Sequence, residues 1–328
     1  MRYITLGSRE ASVIGLGAWQ IGTRYWGWGT EFGPDNVSAL LEAARDAGIN
    51  LIDTAEIYGQ GESERQLGYH IPPDDEHFLI ASKASPWHLT ASGIRRAADN
   101  SLQRLQRTSM HLYQVHFPNI VIPLSRTMAG MRTLQSETKI SHVGVSNFSL
   151  ARWQRAERAL GAPVITNQVD YSLLRPRAFT ALRPMLDDGH VMIAYSPMAM
   201  GLLSGKYNTE QHPTGSRLQL PAFSGRNYEN VRRVLDVMES IAKNHTAMVS
   251  QIALAWVIAH PNVMAIPGAK SPEQVRQNAA AADIQLSESE VTALDEVAST
   301  YKPALHVPRP FEVAKWLVNR DKTCADDQ

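Results

Sequence analysis

The sequence predicts an α/β fold: a (β/α)8 TIM barrel with an N-terminal β-hairpin and a long loop after the seventh barrel strand. Short apolar segments recur about every 25 to 30 residues between positions 50 and 195, the spacing of successive βα units. Between these segments lie stretches with apolar residues three and four positions apart. This spacing is typical of helices packed on a sheet. Each apolar segment also ends at or just before a polar residue.

Six strands are predicted in this region, at 49–53, 78–83, 111–116, 140–147, 163–168 and 191–195. Their polar ends are Asp53, Lys83, His116, Asn147, Gln168 and Tyr195. In a parallel barrel the carboxyl ends of all strands lie on one face, where barrel enzymes keep their active sites. The six side chains are therefore expected to form one ring.

Helices are predicted at 37–48, 92–106, 124–137, 150–161, 228–244 and 248–260, and a last strand at 262–268. Strict alternation of strands and helices also fits a doubly wound nucleotide-binding sheet. That fold requires G-x-G-x-x-G after its first strand, whereas Gly17 is followed by Ala18, Trp19 and Gln20 with no third glycine. The closed barrel is favoured.

Two departures from regular alternation are informative. Residues 1–17 read as two short strands around Gly7-Ser8, a hairpin placed to plug the bottom of the barrel. A Gly-, Ser- and Pro-rich segment runs from Tyr195 to about residue 225, longer than ordinary loops and typical of functional ones.

Composition narrows the function classes. Lysine plus arginine equals aspartate plus glutamate at 32 each in 328 residues, which argues against nucleic acid or an anionic membrane as the main partner. The single cysteine, Cys324, excludes disulfides within the chain. With no signal-peptide pattern and no membrane-length apolar run, we expect a cytoplasmic protein. Residues 1–328 are expected to form one domain with a C-terminal tail from about 303.

Three of the strand ends, together with Tyr58, point to proton transfer to a carbonyl oxygen. The ordinary pKa of tyrosine, about 10, makes it a poor proton donor at neutral pH. We expect the ammonium of Lys83 to lower the pKa of Tyr58, with Asp53 holding Lys83 through a charge-assisted hydrogen bond. His116 can donate a hydrogen bond to a substrate oxygen. The group suits carbonyl reduction.

Motifs in this order and spacing resemble the aldo-keto reductases along nearly the whole chain. They are DTAEIYG (53–59), ASK (81–83), LYQVHFP (112–118), GVSNF (144–148), NQVDYS (167–172), YSPM (195–198) and IPGAKSPEQVRQN (266–278). The resemblance implies a (β/α)8 barrel that binds NADPH or NADP+ without a Rossmann domain, with NADH also possible.

The resemblance assigns roles to individual residues. Asp53, Tyr58, Lys83 and His116 match the catalytic tetrad, with Tyr58 as general acid. Ser146, Asn147 and Gln168 match the residues that hold the nicotinamide carboxamide, and Tyr195 the aromatic that stacks on its ring. The further cofactor-binding residues implied are Ser196, Pro197, Gly201, Leu202, Ser204, Lys206, Gly268, Lys270, Ser271, Gln274 and Asn278.

The residues from 270 to 274 also predict a helix start and a phosphate site independently of the resemblance. Ser271 is a good N-cap, Pro272 suits the first helical position, and Gln274 is in the capping-box position. A helix N-terminus attracts phosphate, and Lys270 adds positive charge for the 2′-phosphate of NADP. Many family members have Arg where this chain has Gln274, which weakens the expected preference for NADP, unless Arg276 compensates.

The substrate is expected to be a small carbonyl compound or a sugar, bound in a pocket lined by Trp19, Trp26, Trp28 and Trp87. One alternative is a cofactor-binding regulatory module like the potassium-channel β subunits. The segment GLLSGKY (201–207) resembles a loop of those subunits. Another is a sugar or alcohol dehydrogenase working in the oxidative direction. A metal-dependent hydrolase is disfavoured and no metal is expected, because there is no H-E-x-x-H motif and no cysteine cluster.

Overall fold

The structure of the chain is a computed structural model that describes residues 1–88, 90–207, 223 and 226–302. The expected tail from about 303, with Cys324, lies outside the described residues, as do positions 208–222 and 224–225 of the long segment after the seventh barrel strand.

Eight parallel strands form the central sheet, and they follow one another in space in the order in which they occur along the chain. They are β3 (Leu16–Gly17), β4 (Leu51–Asp53), β5 (Leu79–Ala84), β6 (Met110–Val115), β7 (Ile140–Ser146), β8 (Val164–Asp170), β9 (Val191–Tyr195) and β10 (Val263–Ala265). Parallel bridges from Ile14 to Ala265 and from Gly17 to Gly268 join the first strand to the last. The sheet therefore closes, and the predicted (β/α)8 barrel is confirmed.

The N-terminal hairpin plugs the bottom of the barrel, as predicted. Strands β1 (Tyr3–Leu6) and β2 (Arg9–Ser12) pair antiparallel around the turn at Gly7-Ser8. Leu6 and Ala11 are fully buried in the same apolar cluster as Leu51 and Leu112 of the barrel strands. Water is thus kept out of the barrel from this end.

Ten α-helices are described. They are α1 (Val37–Asp46), α2 (Glu62–His70), α3 (Ala91–Leu105), α4 (Leu124–Ser136), α5 (Leu150–Leu160), α6 (Arg177–Asp187), α7 (Arg226–Asn244), α8 (Val249–Val257), α9 (Pro272–Ala280) and α10 (Glu288–Thr300). The predicted helices are present, and each end lies within three residues of its predicted position. Helix α8 stops at Val257 rather than at position 260, because Pro261 disfavours helical backbone just before it.

Helices α2, α6 and α10 were not predicted from the sequence. Helix α2 is short and mostly polar, and α6 contains Pro184, so the two give weak periodic signals. Within the described part of the chain, no helix combines the length and apolar character needed to cross a membrane.

Candidate active site

The six polar residues predicted to form a ring lie at the carboxyl ends of six neighbouring barrel strands. Asp53 and Tyr195 are the last residues of their strands, Lys83 is one residue and Gln168 two residues before the end, and His116 and Asn147 come directly after their strands. The barrel therefore brings together side chains that are up to 142 positions apart in sequence.

Lys83 is the centre of this group. Its fully buried ammonium donates hydrogen bonds to Asp53 Oδ1 at 2.5 Å, to the carbonyl of Thr54 at 2.8 Å and to the hydroxyl of Tyr58 at 3.2 Å. A lysine has three N–H donors, and all three are used here. Since the Tyr58 oxygen accepts from Lys83, the tyrosine O–H is left to donate elsewhere.

Tyr58 is positioned by an unusual turn. Gly59, Gln60 and Gly61 follow it with φ values of 55°, 56° and 84°, all in the left-handed region. A β-carbon at Gly59 would lie 2.2 Å from the carbonyl oxygen of Gly22, so glycine is required for the two loops to touch. This contact fixes the phenol beside the strand ends.

The effect of Lys83 on Tyr58 differs from the prediction. Burial raises the pKa of Tyr58 well above 10, and the negative charge of Asp53 raises it further. Asp53 lies 2.5 Å from the ammonium and largely cancels its charge, so the lowering expected from Lys83 does not prevail. Tyr58 is therefore held in its protonated form, the state needed to donate a proton.

His116 lies beside Tyr58, with ring centroids 5.9 Å apart and planes at 82°. Burial, and then the charge of Lys83, lower the pKa of His116 well below 6.5, so the imidazole is neutral at neutral pH. Its buried Nδ1 atom has no hydrogen-bond partner among the described residues. A neutral imidazole carries one N–H and can act as a hydrogen-bond donor.

Two glutamines donate to Oδ2 of Asp53, the carboxylate oxygen that does not bind Lys83. Oδ2 of Asp53 accepts from Gln168 Nε2 at 2.7 Å and from Gln114 Nε2 at 3.3 Å. Gln114 was missed by the sequence analysis, although it is two residues before His116 and so faces the same side of its strand. Gln168 was assigned to the cofactor by the resemblance, and here it also contacts the tetrad.

The residues expected around the nicotinamide form one hydrogen-bonded group. Tyr195 donates to Asn147 Oδ1 at 2.9 Å, and Asn147 Nδ2 donates to Ser146 Oγ at 2.9 Å. Ser146 in turn donates to the carbonyl of Gln168 at 2.9 Å. Asn147 adopts φ 62°, which asparagine tolerates better than most residues. The series ends at the backbone carbonyl of Gln168, whose side chain contacts Asp53.

The segment after Tyr195 forms a compact, irregular turn. Ser196, Ala199, Met200 and Gly201 have positive φ, and the amides of Ala199 and Gly201 donate to the carbonyls of Ser196 and Met198 at 2.8 and 2.9 Å. Pro197 lies inside this turn and Leu202 is buried beneath it. Backbone hydrogen bonds within the turn therefore hold it together.

The two polar side chains expected on the cofactor phosphates differ in their contacts. Ser204 Oγ donates to the carbonyl of Gly201 at 2.6 Å and accepts from the Lys206 amide at 3.2 Å, so it stiffens the turn. Lys206 is exposed and forms no ion pair with any residue that the structure describes. Its charge is thus available to an anion.

The N-terminus of α9 is built as predicted, with one difference. Ser271 Oγ caps it by accepting from the Gln274 amide at 3.3 Å. The Gln274 side chain reaches back to the amide of Lys270, at 2.9 Å, rather than to that of Ser271. Asn278, one turn further along, is buried.

The β3–α1 segment connects the tetrad to this helix end. Trp19 stacks on Tyr58 with ring centroids 6.1 Å apart. The next side chain, Gln20, packs so closely on Gly268 that a β-carbon there would lie 1.9 Å from it. Gln20 Oε1 is buried without a partner among the described residues. The segment thus contacts both Tyr58 and Gly268, which is two residues before Lys270.

The structure does not bring the four predicted pocket tryptophans together. Trp26 is buried edge-on against Trp19, at 5.1 Å. Trp28 instead packs on Phe32, the ring over which Lys270 lies. Trp87 is 52% exposed on the loop after β5. Of the four, Trp19 stacks on a residue of the tetrad, Tyr58.

Glu56 supports the loop that carries Trp87, and the sequence analysis did not single it out. Its Oε1 accepts from the Ser85 amide at 2.5 Å and from His88 Nδ1 at 3.0 Å. Its position in the DTAEIYG motif, two residues before Tyr58, was the available signal. The carboxylate ties the Tyr58 loop to the Trp87 loop.

Within the described residues, no three His, Cys, Asp or Glu side chains form a group that could hold a metal ion. The barrel-bottom His111 Nε2 donates to the carbonyl of Leu6, at the end of the barrel opposite His116.

Comparison with known proteins gives a consistent result. Residues 13–299 match the model of the aldo/keto reductase family. An uncharacterised oxidoreductase of Mycobacterium tuberculosis H37Rv is 43% identical over 305 residues, covering 92% of this chain and 94% of the relative. The NADH-specific methylglyoxal reductase of Escherichia coli K12 is 30% identical over 325 residues, covering 91% and 98%. The crystal structure of a Klebsiella pneumoniae aldo-keto reductase with NADPH matches at a TM-score of 0.70 and 33% identity, covering 92% and 94%.

Proposed function

Because the chain belongs to the aldo/keto reductase family, we propose that it is an NAD(P)H-dependent oxidoreductase that reduces an aldehyde or ketone to an alcohol, with Tyr58 as proton donor. The observation that carries this proposal is the position of the Tyr58 hydroxyl, which is 3.2 Å from a buried ammonium and next to a neutral imidazole. A carbonyl oxygen that receives a proton needs this combination of donors.

Ser146, Asn147 and Gln168 would hold a reduced nicotinamide, which would supply the hydride that the carbonyl carbon accepts. Tyr58 gives its proton to the carbonyl oxygen, and the neutral His116 donates a hydrogen bond that orients the same oxygen. As the proton leaves, negative charge develops on the Tyr58 oxygen, where Lys83 already donates a hydrogen bond. Because the site is buried, this preorganised contact is stronger than it would be in water.

The residues present fit a nicotinamide dinucleotide. Ser146, Asn147 and Gln168 offer the polar groups that a carboxamide requires, and Tyr195 is hydrogen-bonded to Asn147. We assign the diphosphate to the turn from Ser196 to Gly201 and to the exposed Lys206 that follows it. The relative crystallised with NADPH supports this assignment, and the NADH-specific relative supports NADH as an alternative.

The test is NAD(P)H oxidation at 340 nm with 4-nitrobenzaldehyde as a general carbonyl substrate. Tyr58→Phe should lower kcat by about a hundredfold or more, the range for loss of a general acid. Quenching of tryptophan fluorescence by NADPH should be retained, because the cofactor contacts proposed here do not include the Tyr58 hydroxyl.

Tyr69→Phe is the matched control, since Tyr69 is 78% exposed on the outer helix α2. Equal activity of wild type and Tyr58→Phe would refute the role of Tyr58. Absence of quenching by both NADPH and NADH would refute the cofactor assignment.

A further inference from the structure

The cation at the N-terminus of α9 already has a partner. Lys270 Nζ lies 2.6 Å from Glu31 Oε2 and 5.7 Å from the centroid of the Phe32 ring. The Lys270 side chain is 20% exposed and that of Glu31 is 64% exposed, so solvent and ligands reach the pair from the Glu31 side.

Glu31 is held in place by a compact turn. Its amide donates to the carbonyl of Gly27 at 2.8 Å, and the amide of Gly29 donates to the carbonyl of Phe32 at 2.8 Å. Trp28 packs edge-on against Phe32 with ring centroids 5.3 Å apart. Gly27, with φ 89°, leaves space for the Glu31 side chain, since a β-carbon there would lie 2.7 Å from Glu31 Cδ. The carboxylate is therefore presented to Lys270 by a fixed loop.

Among the described residues of this helix start, the cation best placed for an additional phosphate is Lys270. Gln274 is neutral, and its side chain is committed to the Lys270 amide. Arg276 is 57% exposed and lies 4.0 Å from Glu273 on the same helix. A 2′-phosphate bound here would thus compete with Glu31 for the Lys270 ammonium.

We propose that Glu31 determines cofactor specificity: it competes with the 2′-phosphate of NADPH for Lys270 and so lowers the preference of the site for NADPH over NADH. The inference rests on the proposed function, because it requires a nicotinamide cofactor with its adenosine end at α9. A phosphate monoester carries between one and two negative charges, so it must displace Glu31 and also meets its repulsion. NADH carries a 2′-hydroxyl and leaves the ion pair intact.

Glu31→Gln keeps the size of the side chain and removes its charge. The dissociation constants of NADPH and NADH are measured by quenching of tryptophan fluorescence, and those of 2′,5′-ADP and 5′-AMP by calorimetry. NADPH and 2′,5′-ADP should bind about two- to fivefold more tightly, the effect of removing one exposed ion-pair partner. NADH and 5′-AMP should be unaffected. Glu10→Gln, on the hairpin at the opposite end of the barrel, makes the same change in net charge and should alter none of the four constants.

A double-mutant cycle with Lys270→Met separates competition from general electrostatics. Without Lys270, Glu31→Gln should no longer change the ratio of the NADPH and NADH constants. A persistent effect in that background, an equal effect on NADH, or no effect in the wild-type background would each overturn the inference while leaving the proposed function intact. If the wild-type protein bound neither nucleotide, both would fall. Retained thermal unfolding temperatures verify that the variants are folded.

Discussion

Lys83 shows why the tetrad has to be considered as a unit. A lone buried ammonium is strongly unfavourable, and it is retained here because Asp53, Thr54 and Tyr58 satisfy its three donors. The pairing that makes the lysine tolerable also cancels most of its effect on Tyr58. Tyr58 consequently stays protonated, and His116, which the charge of Lys83 also reaches, stays neutral.

The pH dependence of reduction should reflect these states. The pKa of His116 is lowered, so the imidazole binds a proton only at pH well below about 6.5, and the neutral form persists as pH falls through that value. The pKa of Tyr58 is raised, so the phenol remains a donor on the alkaline side of neutrality. We expect kcat to be flat between about pH 6 and 8. A fall in kcat with a midpoint near pH 6.5, in a folded enzyme, would contradict a neutral buried His116.

Loops rather than strands deliver the proton donor. The strand ends fix Asp53 and Lys83, but Tyr58 reaches them only because the turn from Gly59 to Gly61 bends back in the left-handed region and touches Gly22. Glu56 then joins this turn to the loop of Trp87 through the Ser85 amide and His88. The donor and one predicted wall of the substrate pocket are thus mechanically connected.

Gly59→Ala tests this connection. The new β-carbon would lie 2.2 Å from the Gly22 carbonyl oxygen, so the turn must shift and Tyr58 with it. We expect kcat for 4-nitrobenzaldehyde to fall by about tenfold or more, with the dissociation constant of NADPH little changed. Gly189→Ala is the control, because Gly189 also has a positive φ, of 86°, but has open space around it. Similar losses of activity in both variants would indicate a general effect of backbone strain instead.

The two ends of the barrel differ in structure and in proposed role. The top holds the candidate active site, whereas the bottom is closed by the β1–β2 hairpin and by two histidines whose rings are 5.1 Å apart. His111 donates to the carbonyl of Leu6, and His142 accepts from the amide of Ser8. Burial is the main reason that the pKa of His111 is lowered to about 4. Burial also lowers the pKa of His142.

Acid should therefore lower the free energy of unfolding through the histidines at the bottom of the barrel. Because the folded-state pKa of His111, about 4, is below the unfolded value of about 6.5, the unfolded chain binds the proton first as pH falls. Its contribution to stability is present above about pH 6.5 and is lost by about pH 4, at most about 3 kcal/mol. The free energy of unfolding in urea, measured across this range, should fall less steeply for His111→Gln than for wild type. Parallel curves for the two proteins would show that His111 does not carry the effect.

The sequence by itself determined the barrel, the hairpin plug and the ring of strand-end residues. Hydrophobic periodicity and strand spacing are local properties, and parallel strands place all their carboxyl ends on one face. The capped start of α9 was equally local, as the contact between Ser271 and the Gln274 amide confirms. The tetrad roles and the cofactor roles remain predictions, now with a geometry that supports them.

Only the tertiary structure decided how these groups affect one another. It showed Gln114 and Gln168 on Asp53, Trp28 beside Phe32, and Glu31 on Lys270, 239 positions away in sequence. It also reversed the expected shift of the Tyr58 pKa. Burial and charge pairing depend on which surfaces meet in space, and no local pattern of residues encodes those distances.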